Sequence, residues 1–174
     1  MYYSAIKNCD IANGTGVRCT LFVSGCRNHC PGCFQKETWD FAFGRPFDDG
    51  AKQKIFEFLA PGYIAGLTLL GGDPFEEENQ EALTPFLREV KLRYPEKNIW
   101  AFTGYMYEDL CEGGKKHTAF TDEMLSYINI LVDGPFIEEK KNLMLKFRGS
   151  ENQRIIDMDA VRAAGRIVLS ALNS

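Results

Sequence analysis

The sequence predicts an α/β protein in which strands and helices alternate to form a mostly parallel sheet. Four short apolar segments have the composition of strands covered on both faces, and each is closed by glycine within two residues. They lie at residues 17–23, 66–70, 98–104 and 128–134. Helical patterns fall between and after them. Strands joined through helices form right-handed crossovers, and their neighbours in the sheet are therefore parallel.

Each strand is predicted from its own composition. The segment VRCTLFV has an apolar residue at every second position, which turns one face towards the core. Cys19 lies on that face and is expected to be a small buried hydrophobe. GLTLL is wholly apolar and stops at the pair Gly71-Gly72, whereas NIWAFTG and INILVDG end in glycine themselves. These four strands are the frame of the predicted sheet.

Helices are predicted where apolar residues recur every three or four positions. Asp48 is available as the N-cap of the first helix, and Thr121 as the N-cap of the third. Pro85 must either begin the second helix or kink it. Four segments are expected to be helical: residues 51–60, 79–94, 121–128 and 159–172.

Length and composition fit one domain of an ordinary soluble globular protein. The 174 residues can bury a core of their own; 45% are apolar and 25% are charged. The net charge of −4 and the pI near 5.3 give no reason to expect nucleic acid or an anionic membrane as partner. No apolar run reaches the roughly 20 residues that span a bilayer, and the N-terminus lacks a signal-peptide pattern. We expect a single domain over residues 1–174 in the cytoplasm, with the last helix as an extension.

Four loops follow the ends of the predicted strands and should therefore meet. In α/β folds, ligands bind at the carboxyl ends of the parallel strands. The loops are the cysteine-rich segment after the first strand and the sequences GGDP, FTGY and VDGP. The sequence thus predicts one site at this edge of the sheet.

The cysteine-rich segment carries the strongest chemical signal. Cys26, Cys30 and Cys33 lie within eight positions, and in a cytosolic chain such thiols indicate metal or redox chemistry before disulfides. Soft thiolates select zinc or an iron–sulfur cluster. A structural zinc needs a fourth ligand, which His29, Cys19 or Cys9 would have to supply. A 4Fe–4S cluster held by three thiolates instead leaves one iron open to a substrate.

The order of the motifs resembles one family. Cys-x3-Cys-x2-Cys after the first strand and Gly-Gly-Asp after the second are similar to the pattern of the radical S-adenosylmethionine (SAM) superfamily. The blocks RCTLFVSGC, CPGC, TW, GGDP, IWAFTGY, LVDGPF and RGSENQ resemble those of the activating proteins of anaerobic (class III) ribonucleoside-triphosphate reductase. Leu70, Phe34 and Gln35 depart from the residues usual in that family, and the chain beyond about residue 158 extends past the family's usual end.

This resemblance implies a fold, a reaction and partners. The fold would be a partial, open βα barrel of radical SAM type. One 4Fe–4S cluster, bound by Cys26, Cys30 and Cys33, would hold the amino and carboxylate groups of SAM at its open iron. Reductive cleavage of SAM would give methionine and a 5′-deoxyadenosyl radical, which takes a hydrogen atom from a glycine of the reductase and leaves a glycyl radical there. A reduced flavodoxin or a ferredoxin-type protein would donate the electron.

The resemblance also assigns residues to SAM. Gly71, Gly72 and Asp73 would hold its methionine end, because glycine lets the backbone approach a ligand and a carboxylate can pair with the α-ammonium. A plain turn that closes the strand is the alternative. The backbone of three residues would contact the adenine: Gly32, Cys33 and Phe34. For Phe34, a position in the apolar core is the alternative.

Several further residues have two interpretations each. Thr103 and Asp133 end two strands and suit contacts to the ribose or the carboxylate of SAM, but they also suit ordinary turns. Arg148 suits either a hydrogen bond to the carboxylate of SAM or a structural salt bridge. Residues 76–78, three glutamates, are expected to be a solvated helix start. Two cysteines have no assignment: Cys9 and Cys111.

Two other functions stay open from the sequence. One is a different radical SAM enzyme, which activates another glycyl radical enzyme or acts on a small molecule. The other is a zinc-stabilised binding module without catalysis. Metal content separates the second from an enzyme, because a cluster contributes iron where the module contributes zinc.

Overall fold

A computed structural model describes residues 1–173, in which seven strands form one sheet and five α-helices accompany it. The strands are β1 (Tyr2–Asp10), β2 (Val17–Val23), β3 (Arg45–Pro46), β4 (Ile64–Gly71), β5 (Asn98–Phe102), β6 (Ile130–Asp133) and β7 (Arg154–Asp157). The helices are α1 (Asp49–Leu59), α2 (Glu77–Arg93), α3 (Tyr107–Leu110), α4 (Thr121–Tyr127) and α5 (Met158–Ala164). Short 3-10 helices span Lys36–Trp39, Glu138–Lys140 and Ala171–Asn173.

The four strands predicted from apolar runs form the centre of the sheet. The strand order is β3-β1-β2-β4-β5-β6-β7. Strands β2, β4, β5 and β6 run parallel to one another; Thr20 lies opposite Thr68, which in turn lies opposite Trp100. Because these strands share one direction, the loops that follow them leave the sheet at the same edge.

The prediction of a mostly parallel sheet in a partial barrel is wrong. Three of the six strand pairings are antiparallel, because β1 runs against both β2 and β3, and β7 runs against β6. The sheet is mixed and open, with β3 and β7 at its edges. A short turn joins β1 to β2, and an irregular segment returns β6 into β7, so neither connection makes the helical crossover that parallel neighbours need.

The two faces of the sheet are covered differently. The α-helices pack on one face, where the main core of strand and helix side chains is formed. The other face carries a smaller apolar cluster of Trp100, Val132 and Ile155, against which Phe147 and Leu172 pack. Loops rather than helices cover this second face, and they leave room for a pocket at the strand ends.

The predicted last helix, residues 159–172, is shorter than expected. Helix α5 ends at Ala164, and Gly165 closes it with a φ of 65°, the left-handed conformation that glycine adopts at helix ends. The chain then turns back, so that Leu169 pairs antiparallel with Ile156 of β7. The tail is therefore an irregular added edge of the sheet and not a helical extension.

No helix within residues 1–173 combines the length and the apolar character that crossing a bilayer requires.

Candidate functional site

A pocket of about 420 Å³ lies at the carboxyl ends of β2, β4, β5 and β6. This volume is within the range of small-molecule sites, roughly 300–1,000 Å³. All four strand-end loops contribute to its wall, as their placement in the sequence predicts. The contributing residues include Cys26, Asn28, Cys30, Cys33 and Phe34 from the first loop, Gly71, Gly72 and Asp73 from the second, Thr103 and Gly104 from the third, and Gly134 and Phe136 from the fourth.

The three clustered cysteines all line this pocket as free, partly exposed thiols. Burial raises the pKa of the Cys26 thiol to about 11, and it also raises the pKa of Cys30. The nearby backbone of Asn28 and His29 partly offsets this rise in the pKa of Cys26, and the backbone of Phe136 partly offsets it for Cys30. Nearby backbone of this kind is suited to a metal-bound thiolate, because hydrogen bonds to the sulfurs help set a cluster's reduction potential.

The thiols suit an iron–sulfur cluster better than a single metal ion. Within residues 1–173, no three Cys, His, Asp or Glu side chains lie close enough together to bind one ion. In a 4Fe–4S cluster each thiolate binds a different iron, so the sulfurs stand farther apart than the ligands of one zinc. None of the candidates for a fourth zinc ligand lines the pocket: the His29 ring stacks on Trp39 with centroids 4.5 Å apart, Cys19 is buried in β2, and Cys9 is exposed in β1.

The glycine pair after β4 allows two loops to pack together without side chains between them. Gly71 has a φ of 108°, and a Cβ there would lie 2.6 Å from the carbonyl oxygen of Val23. A Cβ at Gly72 would lie 2.5 Å from the carbonyl oxygen of Gly25. The amide of Gly72 donates to the Val23 oxygen at 2.7 Å. The pair therefore seats this turn directly against the start of the cysteine loop.

Asp73 is a buried carboxylate that joins three of the loops. Its Oδ1 accepts from the amide of Phe75 at 2.9 Å and from the Thr103 hydroxyl at 2.9 Å. Its Oδ2 accepts from the Asn28 side-chain amide at 2.8 Å and from the amide of Gly104 at 2.9 Å. The side chain thus ties the cysteine loop to the loop after β5.

The environment of Asp73 also changes its protonation. Burial raises the pKa of Asp73 to about 6, although the hydrogen bonds from Phe75, Gly104 and Thr103 lower it in part. Because the pKa is raised from 3.8, ionisation of this group removes stability from the fold as the pH rises from 3.8 to about 6. At neutral pH the group is a carboxylate.

Of the other residues predicted to bind SAM, some line the pocket and others do not. Cys33, Phe34 and Thr103 line the pocket. The Phe34 side chain is 87% exposed, which excludes the alternative of a core position. Gly32 is not among the residues that line the pocket, and a Cβ there would lie 2.8 Å from the carboxyl carbon of Glu138.

Asp133 does not line the pocket either. Its carboxylate is buried and is occupied by Arg154, whose Nε donates to Oδ1 at 2.9 Å and whose Nη2 donates to Oδ2. The amide of Tyr107, at the start of α3, donates to the same Oδ2 at 2.7 Å. Asp133 therefore joins β6 to β7 and α3, and its carboxylate is paired with Arg154 outside the pocket.

We expect Asp133→Asn to lower the free energy of unfolding by about 3 kcal/mol, because it leaves Arg154 without its buried anionic partner. Urea denaturation of the cluster-free protein measures this. Glu108→Gln is the matched control: Glu108 pairs with the same Arg154 from a largely exposed position, and its loss should cost less than about 1 kcal/mol. If Asp133→Asn has the stability of wild type but binds SAM more weakly, Asp133 is a SAM-binding residue and not a structural one.

Several pocket residues were not found from the sequence. They come from the β1–β2 turn and from the segment before β7: Ala12, Asn13, Phe147, Gly149 and Gln153. Arg148, which the sequence did single out, also lines the pocket and donates to the carbonyl oxygens of Gln153 at 3.0 Å and Asn173 at 2.8 Å. Within residues 1–173 its contacts are hydrogen bonds to backbone and not a salt bridge. The block RGSENQ drew attention to this segment without indicating its position.

An open sheet whose strand ends surround three free thiols indicates an iron–sulfur protein with one cluster. Comparison with known families agrees, because a family model described as "4Fe-4S single cluster domain" matches residues 12–156.

Individual relatives indicate which family of iron–sulfur proteins the chain belongs to. An anaerobic ribonucleoside-triphosphate reductase-activating protein of Haemophilus influenzae is 45% identical over 157 residues, which are 89% of this chain and 97% of the relative. Proteins of the same name from Enterobacteria phage T4 and Escherichia coli are 40% and 38% identical, over 89% and 88% of this chain and 93% and 96% of those relatives. The chain belongs to the family of anaerobic ribonucleoside-triphosphate reductase-activating proteins.

Proposed function

We propose that the chain activates an anaerobic ribonucleoside-triphosphate reductase by generating a glycyl radical on it with SAM and one 4Fe–4S cluster. The observation that carries this proposal is the shared pocket of Cys26, Cys30 and Cys33, whose wall in the described chain includes no further Cys or His. Three thiolates without a fourth leave one iron of a cluster free for a substrate. The names of the relatives support the reductase as the partner.

The cluster, when bound and reduced, would supply the electron that cleaves SAM and so makes the hydrogen-abstracting radical. The chain's own residues bind, orient and shield. Gly71 and Gly72 bring backbone to the wall of the pocket, and the carboxylate of Asp73 is proposed to face the ammonium of SAM. Cys33, Phe34 and Thr103 are proposed to complete the SAM site.

The wall of the pocket is also suited to protecting reactive chemistry. Five aromatic side chains contribute to it: Phe34, Trp39, Phe102, Phe136 and Phe147. Apolar walls reduce the water near the reacting atoms, which limits side reactions of reactive intermediates. The chemistry itself belongs to the cofactors, and the chain contributes binding and shielding.

The test is anaerobic activation of the cognate reductase. Protein reconstituted with iron and sulfide is expected to be brown, with about four irons per chain. Incubation with SAM, the reductase and a reductant (dithionite, or reduced flavodoxin or ferredoxin) should give a glycyl radical doublet by electron paramagnetic resonance (EPR), and samples without SAM should not. Colourless protein with one zinc, or a radical formed only on a different glycyl radical enzyme, would contradict the proposal.

A further inference from the structure

Glu76 is a buried carboxylate beside the cysteine loop. The sequence groups it with Glu77 and Glu78 as a solvated helix start, but in the structure Glu76 has 0% exposure and immediately precedes α2. Its neighbour Glu78 is largely exposed. A charged side chain is rarely buried unless it is paired, so the contacts of Glu76 indicate what it holds.

Three separate segments donate to the Glu76 carboxylate. From the cysteine loop, the Arg27 amide donates to Oε1 and the Arg27 Nη1 donates to Oε2, each at 2.8 Å. From the loop after β5, the Tyr105 hydroxyl donates to Oε1 at 2.6 Å. From the segment after α3, Lys116 Nζ donates to Oε2 at 2.7 Å. One carboxylate therefore fixes the cysteine loop to two other parts of the chain.

The Arg27 amide that Glu76 holds belongs to the turn around the Cys26 thiol. Arg27 follows Cys26 directly, so a carboxylate that holds the Arg27 amide also holds the backbone next to this thiol. On the other side of the turn, the Asn28 side chain is held by Asp73. Two buried carboxylates three positions apart thus clamp adjacent residues of the cysteine loop.

We propose that Glu76 is a positioning residue for the cluster: by holding the amide and the guanidinium of Arg27, it fixes the adjacent Cys26 in the pocket. The inference rests on the proposed cluster site and deepens it. Groups that orient metal ligands typically change metal affinity or activity about 10–100-fold when they are replaced. Through Tyr105 the same carboxylate also fixes the loop that carries Thr103 and Gly104 to the pocket.

The test is Glu76→Gln, which keeps the size of the side chain but places an NH2 group against donors. In the cluster-free variant, hydrogen exchange of the Arg27 amide should be about tenfold faster than in wild type. In the reconstituted variant, cluster retention should fall about 10–100-fold. The EPR spectrum and the reduction potential of the remaining cluster should also shift, because the Cys26 sulfur and the backbone around it are no longer held in one position.

Glu78→Gln is the matched control, since the Glu78 carboxylate accepts from the guanidinium of Arg27 and not from its amide. This variant should behave as wild type. Tyr105→Phe removes one donor from Oε1 and should shift the same readouts less, which keeps the test available if Glu76→Gln does not fold. A Glu76→Gln protein that is merely less stable, with wild-type spectrum and potential, overturns the inference. Wild-type protein that assembles no cluster would instead refute the proposed function.

Discussion

Replacing Cys26, Cys30 or Cys33 by alanine is expected to leave a folded protein that retains no stable 4Fe–4S cluster and cleaves no SAM. All three thiols line the pocket, and none has a replacement among the residues that surround it in the described chain. Loss of one thiolate leaves two, which hold the cluster weakly and expose a second iron to solvent. Iron and sulfide content, visible absorbance and the EPR spectrum of the reduced protein measure the loss.

Cys111→Ala is the control for this prediction. Cys111 lies just after α3, where its thiol donates to the carbonyl oxygen of Tyr107 at 3.4 Å, and it does not line the pocket. Its replacement should leave four irons and SAM cleavage intact, within about the error of the assay. If Cys111→Ala loses the cluster as completely as Cys26→Ala, the three-thiolate site is wrong.

The central strands could be predicted from sequence because their signal is local. Strands β2, β4, β5 and β6 are largely buried, and each is a short apolar run before glycine. Strands β1 and β7 were missed because neither is a long apolar run: most of β1 is half-buried or exposed, and β7 is four residues long. Those missed strands supply the antiparallel pairings, so the predicted sheet was too parallel.

The candidate site, like the fold, has some features that could be predicted from the sequence and others that could not. The cysteine spacing and the strand-end glycines predicted which loops would meet, because both are short-range patterns combined with one rule about parallel sheets. The contacts of Glu76 and Asp133 could not be predicted, since a charged residue is buried only when partners from distant segments reach it. Arg27, Lys116 and Arg154 lie 21 to 49 positions away from the carboxylates they bind. Sequence patterns therefore located the pocket but not the groups that hold it in shape.

Asp73→Asn is expected to weaken SAM binding about thirty-fold, because the proposed partner of the ammonium loses its charge. Removing one member of a desolvated charge pair costs roughly 2–5 kcal/mol, and 2 kcal/mol corresponds to about thirty-fold in affinity. Asp73 is 1% exposed and lines the pocket, so little water would screen the pair. The measurement is a titration of SAM into the reduced, cluster-loaded variant, with iron content determined on the same sample.

Asp10→Asn separates the charge of Asp73 from a general effect of altering a buried turn. Asp10 is also buried, and its carboxylate accepts from the amide of Ala12 at 3.0 Å and from the Asn13 side chain at 2.7 Å, two residues that line the pocket. It holds that turn without being a proposed partner of SAM, so its variant should bind SAM with nearly wild-type affinity. If Asp73→Asn binds SAM as wild type does, the carboxylate acts only by tying Asn28 to Gly104. If both variants weaken SAM equally, the shape of the pocket rather than the charge of Asp73 determines the affinity.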